Sequence, residues 1–176
     1  MDVRSYHFFV EGKPKGKERP RHGAYGNTYT PKETKDYERF VAQSFIEANP
    51  VYSPFNETEP VEVVVIAFYK PPKKYDTKPK REMIKNNELL PLVKPDVDNV
   101  AKAIMDSLNG LVYCDDKQIS SLIISKQYCD KEGVLVTVRS YQPNKKKWLT
   151  RGRIETQAIV NLFHKINSLG IDKLPF

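Results

Sequence analysis

Metal-binding and redox side chains are scarce in this 176-residue sequence, which contains two cysteines and three histidines. Cys114 and Cys129 stand apart without a Cys-x-x-Cys pair, so neither a disulfide framework nor a zinc site is indicated, and ordinary packing is the better interpretation. The histidines, at positions 7, 22 and 164, are isolated from one another and from the acidic residues. A histidine metal site or a histidine general base therefore has little support.

Long apolar runs are missing as well. The longest, over residues 63–69, is far shorter than the roughly 18 residues of a membrane span, and the N-terminus lacks the apolar region of a signal peptide. The motifs of phosphate loops, dinucleotide sites and hydrolase elbows are also absent, so we expect no nucleotide cofactor. These absences predict a soluble, cytoplasmic protein with no membrane partner.

Positive charge, in contrast, is abundant. The formal net charge is +7, which favours a polyanionic partner. Two basic runs, over residues 13–21 and 70–85, contain few acids. Such runs suit solvated loops, but two of them in one chain favour phosphate contacts. Charge alone does not name the partner, and the residues that we expect to contact its phosphates are Lys15, Lys17, Arg19, Arg21, Lys73, Lys74, Lys78 and Lys80.

The first half of the chain alternates short elements with polar loops. The pattern predicts a strand over 6–10 and a basic loop over 12–27. Thr30 and Pro31 then suit the N-cap and first position of a helix that runs to about residue 48.

The centre of the chain contains a run of β-branched and aromatic residues over 61–69, which predicts a strand buried on both faces. Residues 71–94 form a long polar segment that is typical of a functional or disordered loop. A helix over 98–109 follows, and Gly110 is placed to end it.

Two further strands, over 118–128 and 133–140, are separated by a turn-rich segment and indicate an antiparallel hairpin. The elements together predict one compact α+β domain over 1–143, with a mixed sheet and helices packed against it. Residues 144–176 form an extension whose apolar stripe predicts an amphipathic helix, for dimer contacts or core packing ahead of DNA contacts.

Acidic residues gather on either side of the 98–109 helix. Asp96 and Asp98 lie at its start, where extended backbone would point both side chains one way and let them share a cation. Asp115 and Asp116 follow after a short connection. Oxygen ligands select hard cations such as Mg²⁺ or Mn²⁺, which assist phosphodiester hydrolysis. Lys102, one turn after Asp98, is suited to stabilise the negative charge that develops.

Each of these features also has a plain structural interpretation. Aspartate is a preferred helix cap, so either Asp96 or Asp98 suits a capping role. Asp98 and Lys102 have the spacing of an ordinary ion pair on a helix surface. For Asp106, two turns into the helix, the structural interpretation is the better one.

The longer sequence pattern distinguishes these alternatives. Residues 94–110 read Lys-Pro-Asp-Val-Asp-Asn-Val-Ala-Lys-Ala-Ile-Met-Asp-Ser-Leu-Asn-Gly, and residues 112–119 read Val-Tyr-Cys-Asp-Asp-Lys-Gln-Ile. This pattern, with Glu-Arg-Pro-Arg over 18–21 and Lys126-x-Tyr128, resembles the central signature of RusA-type Holliday junction resolvases. The resemblance covers about residues 6–141 and leaves the C-terminal extension uncovered.

The resemblance implies the roles of the acidic site. Asp96, Asp98 and Asp116 would be the catalytic metal-binding acids, with Asp115 as a neighbour and further candidate ligand, and Lys102 would be the catalytic lysine. The cofactor would be Mg²⁺ or Mn²⁺.

The resemblance also implies a homodimer that resolves four-way DNA junctions by paired cuts, in a phage or prophage setting within a bacterial cell. Two alternatives stay open at this point: a catalytically silent protein that binds branched DNA, and a metal nuclease that acts on flaps or forks.

Overall fold

The computed structural model describes residues 4–22 and 27–141. Its elements in chain order are β1 (Ser5–Glu11), β2 (Arg21–His22), β3 (Thr28–Tyr29), α1 (Lys32–Ala48), β4 (Val61–Tyr69), a first 3₁₀ turn (Lys73–Tyr75), α2 (Lys78–Lys85), α3 (Val97–Leu108), a second 3₁₀ turn (Asp116–Gln118), β5 (Ile119–Tyr128) and β6 (Gly133–Ser140). The predicted C-terminal extension, 144–176, lies outside the described residues.

Four of the strands form a mixed sheet in the order β1-β6-β4-β5. β4 pairs with β5 in parallel and with β6 antiparallel, and β1 pairs with β6 antiparallel. All nine residues of β4 are buried, as the prediction for 61–69 requires. The sheet and its packed helices confirm the α+β fold class.

The predicted hairpin between β5 and β6 is wrong. Within the described sheet the two strands are separated by β4, whose Val65 faces Ile124 on one side and Val136 on the other. Residues 129–132 cross the end of β4, where the N–H of Cys129 donates to the carbonyl of Tyr69 at 2.9 Å. A short turn-rich connection indicates that the chain reverses direction, but it does not indicate which strands pair. The fully buried β4 needs a partner on each edge, and this requirement determines the strand order.

Helices α1 and α3 pack together and against one face of the sheet. The ring of Phe45 on α1 meets the ring of Phe8 edge to face, with centroids 5.5 Å apart. Ile104 and Leu108 of α3 are fully buried in the same core. Because the buried stripe of α3 faces the sheet, its opposite face and first turn stay at the surface. No described helix has the length and apolar character to span a membrane.

Two local predictions differ from the structure. α1 begins at Lys32, so Pro31 occupies the N-cap position without a side-chain capping hydrogen bond, and Thr30 lies outside the helix. The segment 71–94 is not a continuous loop, because it contains the first 3₁₀ turn and α2. α2 has few apolar positions and is held by contact of Ile84 with the core, a tertiary contact that helical periodicity does not reveal.

Candidate active site

Asp96 and Asp98 lie at the start of α3, with both side chains exposed. Asp96 has extended backbone and occupies the N-cap position, but its side chain makes no capping hydrogen bond to a described residue. Asp98 is in the first helical turn, so the expectation that extended backbone aligns the two side chains is wrong. The capping role is therefore unfilled, and the carboxylate of Asp96 stays available.

Lys102 lies one turn after Asp98 on the exposed face of α3. Among the described residues, no ion pair joins Asp98 to Lys102 within 4.0 Å. The plain interpretation of this spacing as a surface ion pair is thus not realised. The acid and the ammonium group remain separately available on the helix surface.

Asp115 and Asp116 differ in their local roles. Asp115 caps the second 3₁₀ turn, and its Oδ1 accepts a hydrogen bond from the backbone N–H of Lys117 at 2.9 Å. That bond, aided by the Lys117 charge, lowers the pKa of Asp115. Asp116 is the first residue of the turn and is exposed. Asp115 therefore has a structural function that Asp116 lacks.

The buried Tyr113, three residues before Asp116, is hydrogen-bonded to α3. Its hydroxyl donates to the carbonyl of Met105 at 2.7 Å. Burial raises the pKa of Tyr113, and the charges of Asp116 and Asp106 raise it further. Tyr113 therefore anchors the segment that leads to Asp116 on the second half of α3, whereas Asp96 and Asp98 lie at the start of that helix.

Lys17 joins the basic loop to both helices. Its ammonium group forms ion pairs with Glu38 on α1 and, at 2.7 Å, with Asp106 on α3. Burial alone would lower the pKa of Lys17, but the hydrogen bonds and charges of Asp106 and Glu38 outweigh it and raise the pKa. Lys17 was expected at the DNA surface. In the structure its ammonium group is already held by two carboxylates, and Asp106 has the structural role expected of it.

The backbone of the same loop contacts the start of α3. The N–H of Lys17 donates to the carbonyl of Asn99 at 2.9 Å. A Cβ placed on Gly16 would lie 2.7 Å from the Cβ of Pro95 and 3.0 Å from that of Asn99. Only glycine allows this approach. The loop therefore supports the turn that carries Asp96 and Asp98.

A cavity of about 640 Å³ opens between this loop, the first turn of α1 and the start of α3. Its lining consists of Lys13, Pro14, Lys15, Gly16, Lys17, Glu18, Glu33, Thr34, Tyr37, Lys94, Pro95, Asp96 and Asn99. The Thr34 hydroxyl is buried and has no hydrogen-bond partner among the described residues, and the buried Tyr37 hydroxyl lies beside the backbone N–H of Lys15. Burial raises the pKa of Tyr37 to about 12, and the nearby backbone N–H of Lys15 offsets part of that rise.

The remaining basic residues predicted to contact DNA lie in two places. Lys15, Arg19 and Arg21 belong to the basic loop, where Arg21 pairs with Glu18 at 3.1 Å. Lys73 and Lys74 lie in the first 3₁₀ turn, and Lys78 and Lys80 in α2. Lys74 and Lys80 each contact a neighbouring side chain, the ring of Tyr75 and the sulfur of Met83.

The donor set at the start of α3 suits a hard cation, since carboxylate oxygens are its preferred protein ligands. Within residues 4–22 and 27–141, no three His, Cys, Asp or Glu side chains are grouped closely enough to hold one metal ion. Mg²⁺ commonly uses one or two carboxylates and takes its other ligands from water and substrate phosphate. The exposed pair Asp96 and Asp98 fits that mode.

Comparison with known proteins identifies the family. The family description "Endodeoxyribonuclease RusA" matches residues 11–139. The chain belongs to the RusA family. A curated relative, "Uncharacterized protein YqaN" of Bacillus subtilis (strain 168), is 34% identical over 137 residues, which span 75% of this chain and 94% of the relative. Membership confirms the resemblance seen in the 94–119 pattern.

The RusA match contains Asp96, Asp98, Lys102 and Asp116, and it makes the chain an endodeoxyribonuclease. Sequence reasoning missed Thr34 and Tyr37 as site residues. Their helical spacing on α1 indicates only a packed face of that helix. The sequence of α1 does not show that the basic loop and Lys94–Pro95 form a cavity beside them.

Proposed function

We propose that this RusA-family endonuclease resolves four-way DNA junctions by paired, metal-dependent hydrolysis of phosphodiester bonds. The observation that carries the proposal is the pair of exposed carboxylates on Asp96 and Asp98, with Lys102 one turn further along the same helix. Neither a cap at Asp96 nor an ion pair between Asp98 and Lys102 competes for these groups in the described structure. Aspartates with no structural partner beside a lysine suit catalysis of phosphoryl hydrolysis.

Asp96 and Asp98 would hold Mg²⁺ or Mn²⁺. Asp116, with Asp115 as its neighbour, is a further candidate ligand on the family pattern alone, since the structure does not group it with the first two. When bound, such an ion would supply positive charge for a phosphate oxygen and a water of lowered pKa as the source of hydroxide near neutral pH. Lys102 would donate to a non-bridging phosphate oxygen as negative charge builds up in the transition state. The basic side chains outside the ion pairs would contact flanking phosphates and set the position of the strand.

A homodimer accounts for paired cutting. Resolution of a four-way junction requires the same bond to be cut in two equivalent strands, and a two-fold dimer presents two identical sites in the matching relation. A single subunit would leave one strand uncut. We therefore expect two subunits to bind each junction.

The test is cleavage of a synthetic four-way junction beside matched duplex, flap and fork DNA, with Mg²⁺, with Mn²⁺ and with chelator. Asp96→Asn and Asp98→Asn should bind junctions and lose cutting, because the amide keeps the shape of the carboxylate but not its charge. Asp36→Asn is the matched control, since Asp36 forms only an exposed ion pair with Arg39 on α1, and such pairs contribute little.

The outcomes separate the alternatives. Symmetric cuts that need metal and both aspartates support resolution. Tight junction binding without cutting under any condition would indicate a silent DNA-binding protein. Preferred cutting of flaps or forks would keep the chemistry and replace the substrate.

A further inference from the structure

The sheet is buried on both faces, but the described helices account for only one of them. Phe45 of α1 and Ile104 of α3 belong to one core with three side chains of β4, those of Val63, Val65 and Ala67. Successive residues of a strand point to opposite faces. The other face of β4, which we call the second face of the sheet, therefore carries Val64, Ile66 and Phe68.

The second face is buried as completely as the first. Ile66 and Phe68 are 0% exposed, and Val64 and Leu135 are 3% exposed. Side chains stand roughly perpendicular to a sheet, so neighbouring strands shield their sides and leave their ends open. Another layer must therefore lie over these side chains.

The described residues supply the cluster on this face but not the layer over it. Within 4–22 and 27–141, the buried cluster consists of Val64, Ile66, Phe68, Cys129 and Leu135, and Phe9 and Ile123 pack against it. All of these residues belong to the sheet except Cys129, which directly follows β5. The layer over them must come from another part of the chain or from another molecule.

Residues 142–176, which include the predicted C-terminal extension, have the length that this layer needs. Segments 1–3 and 23–26 are too short to cover a sheet, whereas the apolar stripe of the extension runs over 154–169. As a helix, that stretch would be about 24 Å long. The four strands measure about 14 Å across, so one helix of this length spans the face.

The order of polar and apolar residues in the extension also matches the second face. The N–H of Tyr141, directly after β6, donates to the carbonyl of Pro60 at 2.8 Å, so the chain leaves the sheet beside the start of β4. That end of the second face is polar, because Glu62 lies there and accepts from Nε of Arg139 at 2.6 Å. Residues 142–153 are mostly polar and basic, and the apolar stripe follows them.

We propose that residues 154–169 form an amphipathic helix whose apolar side packs on the second face of the same chain. The sheet is then the middle layer of three, with the helix that carries Asp96 and Asp98 on the opposite side. The extension completes the core of its own subunit, and the second subunit that junction cutting requires binds elsewhere.

The two cysteines of the chain report on this packing. Cys129 belongs to the cluster on the second face and is buried, whereas Cys114 is exposed, and neither forms a disulfide. The full-length protein is labelled with N-ethylmaleimide, and peptide mass spectrometry gives the reaction rate of each cysteine. We expect Cys129 to react at least about 100-fold more slowly than Cys114, because it reacts only when the layer over it opens.

Substitutions in the apolar stripe should open that layer. Leu162→Asp should raise the Cys129 rate by about tenfold or more, because a charge is costly to bury, and should leave the Cys114 rate as in the wild type. Gln157→Asp is the matched control, since it adds the same charge on the polar side of the predicted helix. It should leave both rates unchanged.

Far-UV circular dichroism shows whether each variant keeps the sheet. If Leu162→Asp loses it, Leu162→Ala replaces that variant. The packing lost by this truncation should still raise the Cys129 rate by about tenfold or more.

Three outcomes would overturn the proposal. Fast labelling of Cys129 in the wild type would show that the second face is open. An unchanged Cys129 rate in both Leu162 variants would assign its protection to the sheet alone. Protection that is lost on dilution would indicate that a second copy of the chain, and not the extension, covers this face.

Discussion

The backbone N–H of Lys17 donates to the carbonyl of Asn99 at 2.9 Å, which joins the basic loop to the first turn of α3. The same residue extends its ammonium group to Glu38 and Asp106, so it contacts both helices that pack on the sheet. The carboxylates of the proposed active site thus lie on a turn that is supported by a loop distant from it in sequence. This arrangement predicts that changes in the loop affect cutting without touching DNA.

Gly16→Ala tests that support. The added Cβ would lie 2.7 Å from the Cβ of Pro95, so the loop or the start of α3 must move. Because small displacements of catalytic groups are costly, we expect the cleavage rate to fall by about 10- to 100-fold while junction binding is retained. Single-turnover cleavage with saturating protein measures this.

Gly12→Ala is the control for Gly16→Ala. Gly12 has a φ of +90°, so alanine there is strained, but its Cβ would meet no described atom within 4 Å. It should lower stability and leave the cleavage rate of the folded protein near wild type. If Gly16→Ala cuts at the wild-type rate, the loop does not position the acids.

Lys17→Met tests the ion pairs of the loop. Methionine keeps most of the apolar stem but leaves Glu38 and Asp106, both partly buried, without their cation. We expect a loss of about 1–3 kcal/mol in the free energy of unfolding, measured by urea denaturation at neutral pH. Lys35→Met, at an exposed position of α1, should change it by no more than about 0.5 kcal/mol. Equal values for the two variants would show that the Lys17 pairs contribute nothing measurable.

Burial of Tyr37 predicts a loss of stability in alkali. Its pKa rises from 10.0 to about 12 on folding, so above pH 10 the unfolded chain releases the proton first. The free energy of unfolding therefore falls as pH rises from 10 and levels off near 12, by roughly 2–3 kcal/mol for this group. Urea denaturation across this range should show a smaller fall in Tyr37→Phe than in wild type. Parallel curves for the two proteins would refute the assignment.

The elements that could be predicted from sequence are those whose signals are local. β4 is rich in β-branched and aromatic residues, and its bounds match the prediction. α3 ends where expected because Gly110 adopts a φ of +72° that other residues disfavour. Asp96, Asp98 and Lys102 were placed at the start of this helix on spacing and family pattern, and the helix begins there.

The remaining features depend on contacts between distant segments. The position of β4 between β5 and β6 depends on which strand edges pair with each other. The turn between β5 and β6 carries no information about this pairing. α2 exists because Ile84 reaches the core. The cavity joins three segments of the chain, and the buried state of the Tyr37 hydroxyl appears only when they are assembled.

The lysines of the first 3₁₀ turn and α2 provide a test of DNA contact by salt dependence. Each phosphate contact contributes about 0.9 to the slope of log binding constant against log salt concentration. Lys73→Ala with Lys74→Ala, and Lys78→Ala with Lys80→Ala, should each lower the slope by up to about 1.8. The control pair, Arg39→Ala with Lys131→Ala, changes the net charge equally, but each of its residues is paired with an acid, Asp36 at 3.2 Å and Glu11 at 2.7 Å. If both lysine double variants kept the wild-type slope, this segment would not belong to the DNA interface. A lysine that only adds to the net charge would change the slope no more than the control pair does.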